Sequence, residues 1–401
     1  MTSAPSQETP GPQSPHAWPL SADEADLVAR AVDFGRRVVA LAADGWDVAG
    51  NGLPRPVVRE WAALGLNGLQ VSAAQGGGGA SFYGKLAVAE ALAATCFASA
   101  FALNNMQSFV TRMAWEGSPD QVTRYLPRLV AGELVCAPSL TEPGAGSDLA
   151  AITTRATKVA GGWRLDGEKA WVTNGMIADL LILYAQTEPG AGLRGIASFI
   201  VDTHAPGIER VPEALIGGGA IGAARVILRD VHVADADLFA PAGLAFKRGL
   251  SGITAARVVV PAMICATVES ALRLALGYAE GREAFGRPLS GHQGLRWQLV
   301  DVATELEAAR LLVRRAAERI ETGADPQVDA AFAKKYAAEM AARAIPACMQ
   351  VMGATGLRRE HPFGQHMVAA RIAAYVDGTT EIQNERIGVA LARRYGVDPA
   401  S

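Results

Sequence analysis

The chain has 401 residues, half of them apolar and 19 % charged, with 37 basic and 40 acidic side chains for a net charge of −3. That is material for two to four domains or one large multi-layer unit with an ample core. The well-mixed, near-neutral charge excludes a nucleic-acid-binding or anionic-membrane surface. The cysteines Cys96, Cys136, Cys265 and Cys348 lie far apart in apolar settings with no CxxC pair. They read as buried thiols of a reducing cytoplasm, not as a zinc site or a disulfide framework.

Residues 1–21 open with "MTSAPSQETPGPQSPHAWPL", rich in Pro, Ser, Thr and Gln and without an apolar h-region. This predicts a disordered tail and no signal peptide. Residues 22–134 predict an N-terminal helical domain. "ADEADLVARAVDFGRRVVALAAD" has helical apolar spacing behind a possible Ser21 cap, and "PDQVTRYLPRLVAGE" is a helix starting at Ser118-Pro119. Between them, "AQGGGGAS" (74–81) predicts a flexible turn; its glycines could cradle a phosphate, but no Lys-Ser/Thr follows. The longest apolar-looking stretch, Ala91–Leu103, is too short to cross a bilayer, so no membrane is expected.

Residues 135–241 predict a small antiparallel β domain, barrel or sandwich. "TRATKVAGGWRLDGEKAWVTNG" alternates polar and apolar residues, with Asp166-Gly167 as a hairpin signal. "DLLILYAQT", "GIASFIVDT" and "AARVILRDVHV" are further strands. Residues 242–401 predict a C-terminal four-helix bundle. "ARVVVPAMICATVESALRLALGYAEGREAF" is apolar nearly all round in its first half, which predicts burial on all sides. "LRWQLVDVATELEAARLLVRRAAERIETG", "DAAFAKKYAAEMAARAIPACMQVMG" and the final helix complete the bundle. The fold class is α+β.

Five segments could carry chemistry. In "LTEPGAGSDLA" (140–150), Pro143, Gly144 and Gly146 give a tight path that gathers amide N–H groups with the hydroxyls of Thr141 and Ser147; the plain alternative is an interdomain turn. In "GEKAWVTNG" (167–175), strand alternation puts Trp171 and Thr173 on one face, where they can stack on a ring and hydrogen-bond it; the alternative is a core Trp. "GREAFGRPLSGHQGLRWQL" (281–299) collects Arg282, Phe285, His292 and Gln293 at a helix break, and "QVMGATG" (350–356) is a Gly-containing turn. In "AYVDGTTEIQ" (374–383), Asp377 is either a helix cap or a catalytic base. No histidines pair at i, i+4, so no metal site is expected.

In this order and spacing the five segments resemble the acyl-CoA dehydrogenase family, over about residues 22–395. The resemblance implies FAD held between the β domain and the bundle. Thr141, Trp171 and Thr173 would meet the isoalloxazine. Arg282, Phe285, His292, Gln293, Gln350 and Gly353 would meet a neighbouring subunit's FAD, and Thr379 and Glu381 would meet the FAD pyrophosphate and adenosine side. Ser147, Arg257 and Gly378 would contact the substrate. It also implies a dimer of dimers, an acceptor such as electron-transfer flavoprotein, and α,β-dehydrogenation of an acyl thioester. The family's usual base is a Glu; the aligned residue here is Asp377, and the second known base position, before Arg257, is Ala256. Thr254 stands where the family often has an Asp on the pantetheine chain, which leaves acyl-CoA and acyl-carrier-protein thioesters both open. Residues Leu103 to Phe109 and Val376 are expected to set pocket depth. Alternatives are other chemistry on the same scaffold (nitroalkane-oxidase-like, monooxygenase or desulfinase) and a non-catalytic flavoprotein subunit. In the nitroalkane-oxidase-like case an Arg one or two turns on assists the Asp; here Asn384 stands seven residues on and Arg386 is nearby.

Overall fold

A computed structural model describes residues 18–396. The tail reading lies largely outside the described residues, but its end is packed. Trp18 stacks on Tyr83 at 5.5 Å and donates from Nε1 to Glu90 at 2.9 Å.

The N-terminal helices are α1 (Ala22–Phe34), α2 (Ala40–Ala49), α3 (Arg55–Ala63), α4 (Phe82–Ala93), α5 (Phe97–Glu116) and α6 (Pro119–Val130). Ser21 and Glu24 form a reciprocal capping box at α1, and Ser118 and Gln121 another at α6, where Pro119 needs no N–H partner. A π-helical turn, Gly35–Val39, joins α1 to α2. The Gly-rich turn is packed. The amides of Gly76, Gly77, Gly78 and Gly79 bond to the carbonyls of Ala73, Ser72, Gly68 and Val71, which leaves none of the four to cradle a phosphate. A Cβ on Gly77 would lie 2.3 Å from Val71 O and 2.5 Å from Gly68 O.

The β domain has strands β1 (Cys136–Ser139), β2 (Arg155–Val159), β3 (Gly162–Val172), β4 (Leu180–Gln186), β5 (Ile196–Asp202), β6 (Ile208–Pro212), β7 (Ala224–Ala234) and β8 (Leu238–Ala240). Their order is β6-β7-β3-β2-β4-β5-β8, mostly antiparallel, with β1 and β2 each parallel to β4. Asp166-Gly167 is not the hairpin turn. Val159 pairs with Gly162, so the chain reverses at Ala160-Gly161. Asp166 instead sits inside β3 at a register shift, its carboxylate accepting from Asp230 N at 2.8 Å. A side chain that can close a turn on itself serves here to bind the neighbouring strand across a bulge.

The C-terminal helices are α7 (Ala245–Gly281), α8 (Gln293–Glu321), α9 (Gln327–Val351), α10 (Phe363–Tyr375) and α11 (Thr380–Tyr395). A two-stranded ribbon, β9 (Glu283–Ala284) and β10 (Arg287–Pro288), joins α7 to α8. The fourth bundle member is α10, which packs on α9 and α7, rather than the expected final helix, α11, which packs on α9. Residues 257–268 of α7 are buried without interruption, as their all-round apolar character requires. Among the described residues this helix, not Ala91–Leu103, is long and apolar enough to cross a membrane, but most of that apolar stretch lies inside the molecule, as in a core helix. All four cysteines are buried and free.

Gly77→Ala should lower stability by about 1–3 kcal/mol through overpacking against backbone. Gly45→Ala, in α2 with nothing within 4 Å of the added methyl, should raise it by about 0.5–1 kcal/mol. Urea unfolding of the two variants checks both signs.

Candidate active site

The two segments at 140–150 and 167–175 are tied by a buried ion pair. Lys169 Nζ lies 2.7 Å from Glu142 Oε1 and donates to Leu140 O at 3.1 Å; the two side chains are 0 % and 3 % exposed. The other carboxylate sites accept from Thr153 N, Thr153 Oγ1 and Thr154 N. Burial alone would raise the Glu142 carboxyl, but Lys169 and these donors outweigh it and hold it at about 2. Burial pushes Lys169 down to about 8, against the pull of Glu142. Ala170 N donates to Thr141 O at 2.9 Å, which fixes Thr141 beside β3.

Regular alternation does not govern the end of β3. The register shifts between Lys169 and Val172, Trp171 takes a left-handed φ of 56°, and its ring is 57 % exposed. The core-Trp reading is thereby excluded. Thr173 follows half-buried, Ser147 is exposed, and buried Asn174 donates to Ala102 O at 3.0 Å, anchoring the segment on α5.

Asp377 lies between α10 and α11 with a φ of 55°. It is not the cap: that is Thr379, whose hydroxyl accepts from Ile382 N at 3.5 Å. Three side chains hold the loop by its carbonyls. Arg257 Nε donates to Asp377 O at 2.7 Å, while Lys334 Nζ and Gln383 Nε2 donate to Gly378 O at 2.8 and 2.9 Å. Gly378 has a φ of 93°, and a Cβ there would lie 3.1 Å from both Arg257 Nη2 and Gln383 Nε2. Among the described residues nothing hydrogen-bonds the Asp377 carboxylate itself. Burial raises its pKa; the charges of Lys334 and Arg257 pull it partly back. Burial likewise lowers Lys334 to about 8, and burial with repulsion from Arg386 lowers Arg257 to about 10.

Arg257, expected to touch substrate, is only 4 % exposed and is turned to the loop; its Nη1 is buried without a partner. Arg386 Nη1 is 3.4 Å from Gln327 Oε1, so the arginine a nitroalkane-oxidase-like site requires is not on the carboxylate. Thr254 donates to Leu250 O in its own helix. Lys334 lies outside every motif read from the sequence, and Gln383, the last residue of the 374–383 segment, is given no role there. The signal for Lys334 was its place on the apolar stripe Ala330, Ala337 and Ala341 of α9.

The remaining candidates sit at the far end of α7. Arg282, Phe285, Gln293, Gln350 and Gly353 are exposed there, and His292 Nε2 donates to Ala284 O at 3.0 Å. Tyr278 OH is 3.3 Å from Thr355 Oγ1, which brings the two segments together. Arg257 and Arg282 are 25 residues apart on one helix and its cap, about 37 Å. Trp171 and Phe285, 57 % and 97 % exposed, present aromatic surface of the kind a flavin or adenine ring covers. The hydroxyl of Thr173 beside Trp171 and the cation of Arg282 beside Phe285 form two separate donor groups, each of a chemistry that fits a part of FAD.

Three family models cover the chain: "Acyl-CoA dehydrogenase, N-terminal domain" over residues 21–133, "middle domain" over 137–231 and "C-terminal domain" over 246–392. An acyl-CoA dehydrogenase of Bacillus subtilis is 31 % identical over 353 residues, 88 % of this chain and 93 % of its own. The butyryl-CoA dehydrogenase structure from Megasphaera elsdenii superposes with a TM-score of 0.89 at 31 % identity, covering 93 % of this chain and 99 % of the other. A chain of the electron transferring flavoprotein structure from Acidaminococcus fermentans has a TM-score of 0.88 at 29 % identity, with 93 % and 99 % covered.

Lys169→Met, which leaves Glu142 buried and unpaired, should cost about 3–5 kcal/mol, with the Glu142→Gln/Lys169→Met double variant nearer wild type. Because the folded Glu142 value is depressed, its stabilisation is complete above the unfolded value of 4.5 and disappears as pH falls toward about 2. Denaturation of wild type and Glu142→Gln between neutral and acid pH checks this; their difference should shrink on acidification.

Proposed function

The chain belongs to the acyl-CoA dehydrogenase family and is a flavin oxidoreductase of that type, and on that premise we propose that it carries out FAD-dependent α,β-dehydrogenation of an acyl thioester with Asp377 as the base. The observation that supports this reading best is the state of Asp377. Its carboxylate has no hydrogen-bond partner among the described residues and a raised pKa, while the backbone beneath it is held at three points. A cap would be bonded to amides and depressed. A group that must take a proton from carbon needs free lone pairs and an affinity above that of an ordinary carboxylate.

The side chain is one methylene shorter than the family's glutamate, roughly 1.5 Å of reach, and a misplacement of about 1 Å can cost about 100-fold in rate. The left-handed backbone and the carbonyl clamp fix where this shorter side chain begins. The thioester binds with its α-carbon beside Asp377, and Arg257 and Lys334 keep the loop and its charge in place. FAD bound alongside supplies the acceptor for the β-hydride. Thr141, Trp171 and Thr173 would hold its ring end, Thr379 and Glu381 its pyrophosphate side, and Ser147 and Gly378 the substrate. Arg282, Phe285, His292, Gln293, Gln350 and Gly353 lie around the far end of α7, too distant to join that set from the same chain. A second copy supplies them, in a dimer of dimers. The carrier is CoA or an acyl-carrier protein, the acceptor an electron-transfer flavoprotein, and the setting the cytoplasm.

The test is anaerobic mixing of the FAD-loaded protein with a panel of acyl-CoA thioesters while following flavin absorbance. Bleaching is expected, with Asp377→Asn slower by about 10²–10⁴-fold and its bound-flavin spectrum intact. Bleaching undiminished in Asp377→Asn would remove Asp377 as base.

Since Asp377 must be ionised and its pKa is raised, kcat/KM should fall on acidification at a pH above the ordinary carboxylate range. Lys334→Met removes a cation that favours the ionised form. Its acid limb should move to higher pH and its kcat should drop about 10–100-fold with KM little changed. A pH profile of the two proteins reads both effects.

A further inference from the structure

A second buried lysine lies apart from the Asp377 loop. Lys85 on α4 is 4 % exposed, and its Nζ has a single partner, Ser108 Oγ on α5 at 3.0 Å. That hydroxyl donates onward to Asn104 O at 2.9 Å, one turn back. Asn104 is itself 6 % exposed, and its Oδ1 is buried without a partner. Among the described residues no carboxylate pairs with Lys85. Two ammonium N–H groups and one amide are thus left inside an apolar helical layer, where an uncompensated charge is costly. Burial alone pushes Lys85 down to about 8; no neighbouring anion counters it.

The position of this cluster gives it a role. Thr267 Oγ1 on α7 donates to Ala93 O on α4 at 3.2 Å. Arg310 of α8 pairs with Glu269 of α7, and Glu321 of α8 accepts from Phe82 N at the start of α4. Since α7 and α8 run antiparallel through their short connection, α4 runs parallel to α7. Lys85, eight residues before Ala93, is therefore level with Val259, eight before Thr267 and two beyond Arg257. On the other side, Asn105 Oδ1 accepts from Asn174 Nδ2 at 3.4 Å, at the foot of the Trp171 segment. The cluster thus stands between the elements carrying Asp377 and those carrying Trp171, in the stretch of α5 expected to bound the acyl pocket.

We propose that Lys85, Ser108 and Asn104 form a subsite for the distal end of the acyl chain, and that the preferred substrate is an ω-carboxyacyl thioester, the monothioester of a dicarboxylic acid. The inference rests on the acyl-thioester reading above. A terminal carboxylate accepts from the two free N–H groups of Lys85 and neutralises its charge. Asn104 contributes an N–H after a half-turn of its amide. A plain alkyl end would leave the ammonium unpaired.

Calorimetry on FAD-loaded Asp377→Asn compares glutaryl- and adipyl-CoA with butyryl- and hexanoyl-CoA, and flavin bleaching of wild type follows the same four. The carboxyacyl thioesters should bind at least 10-fold tighter. Lys85→Met should lose that preference or reverse it, and Lys85→Arg should keep most of it. Equal or tighter binding of the plain chains by the Asp377→Asn protein overturns the subsite, whether or not Lys85→Met folds. So does a ratio unchanged in Lys85→Met. Carboxyacyl preference in binding without bleaching would retain the subsite and overturn the dehydrogenase reading. Bleaching by plain chains without preference would do the reverse. Binding of no thioester would overturn both.

Discussion

Two consecutive backbone carbonyls, those of Asp377 and Gly378, serve as acceptors for two buried cations, and the candidate site depends on that constraint. Charged donors form stronger hydrogen bonds than neutral ones, about 1.5–3 kcal/mol each, and neither Arg257 nor Lys334 has any other hydrogen-bond acceptor among the described residues. The cations come from different helices, α7 and α9, so the loop can take this shape only when the bundle has closed. The packing of the bundle and the aim of the carboxylate are one problem. Pairing carbonyls with the cations leaves the carboxylate unbonded, yet still within the cations' field.

The β domain solves a related problem in the opposite way. Glu142 and Lys169 meet directly, and every remaining carboxylate lone pair has a backbone or hydroxyl donor. Such a pair holds two segments in register and is unavailable for proton transfer at neutral pH. Where charge is fully satisfied the protein gains position; at Asp377 the donors go to the backbone and the carboxylate is left unbonded among the described residues. The same contrast separates Lys169 from Lys85. Both are buried and both are lowered to about 8, but only one has a carboxylate beside it.

The helical layers were legible because their signals are local: apolar spacing, Ser-Pro starts, and an all-round apolar run that can only be a core helix. Asp377 was legible through its motif, but its role was not, since Asp before Gly-Thr suits a cap as well as a base. The structure removes only the cap reading, because Thr379 takes the cap. The hairpin was misplaced because Asp-Gly is a turn signal only if its side chain is free to close the turn, and Asp166 is engaged by Asp230 on the neighbouring strand. Lys334 and Lys335 are adjacent and look alike. One is buried on the Gly378 carbonyl and the other pairs on the surface with Glu339 at 2.6 Å, a difference set by one step of helical rotation. Trp171 is exposed through a backbone bulge, which no alternating pattern encodes.

The length of α7 has an evolutionary consequence. One uninterrupted helix carries Arg257 of the Asp377 clamp in its first half and leads at its end into the segment with Arg282 and Phe285. Each residue of an α-helix advances roughly 1.5 Å and turns roughly 100°. A single insertion or deletion between Arg257 and Gly281 would therefore swing one end to a different side of the molecule relative to the other. Substitutions along this stretch can be absorbed by repacking, but a change in residue count cannot. The spacing of its two ends is inherited as a fixed number, in the way a reading frame is, even where the letters between them drift.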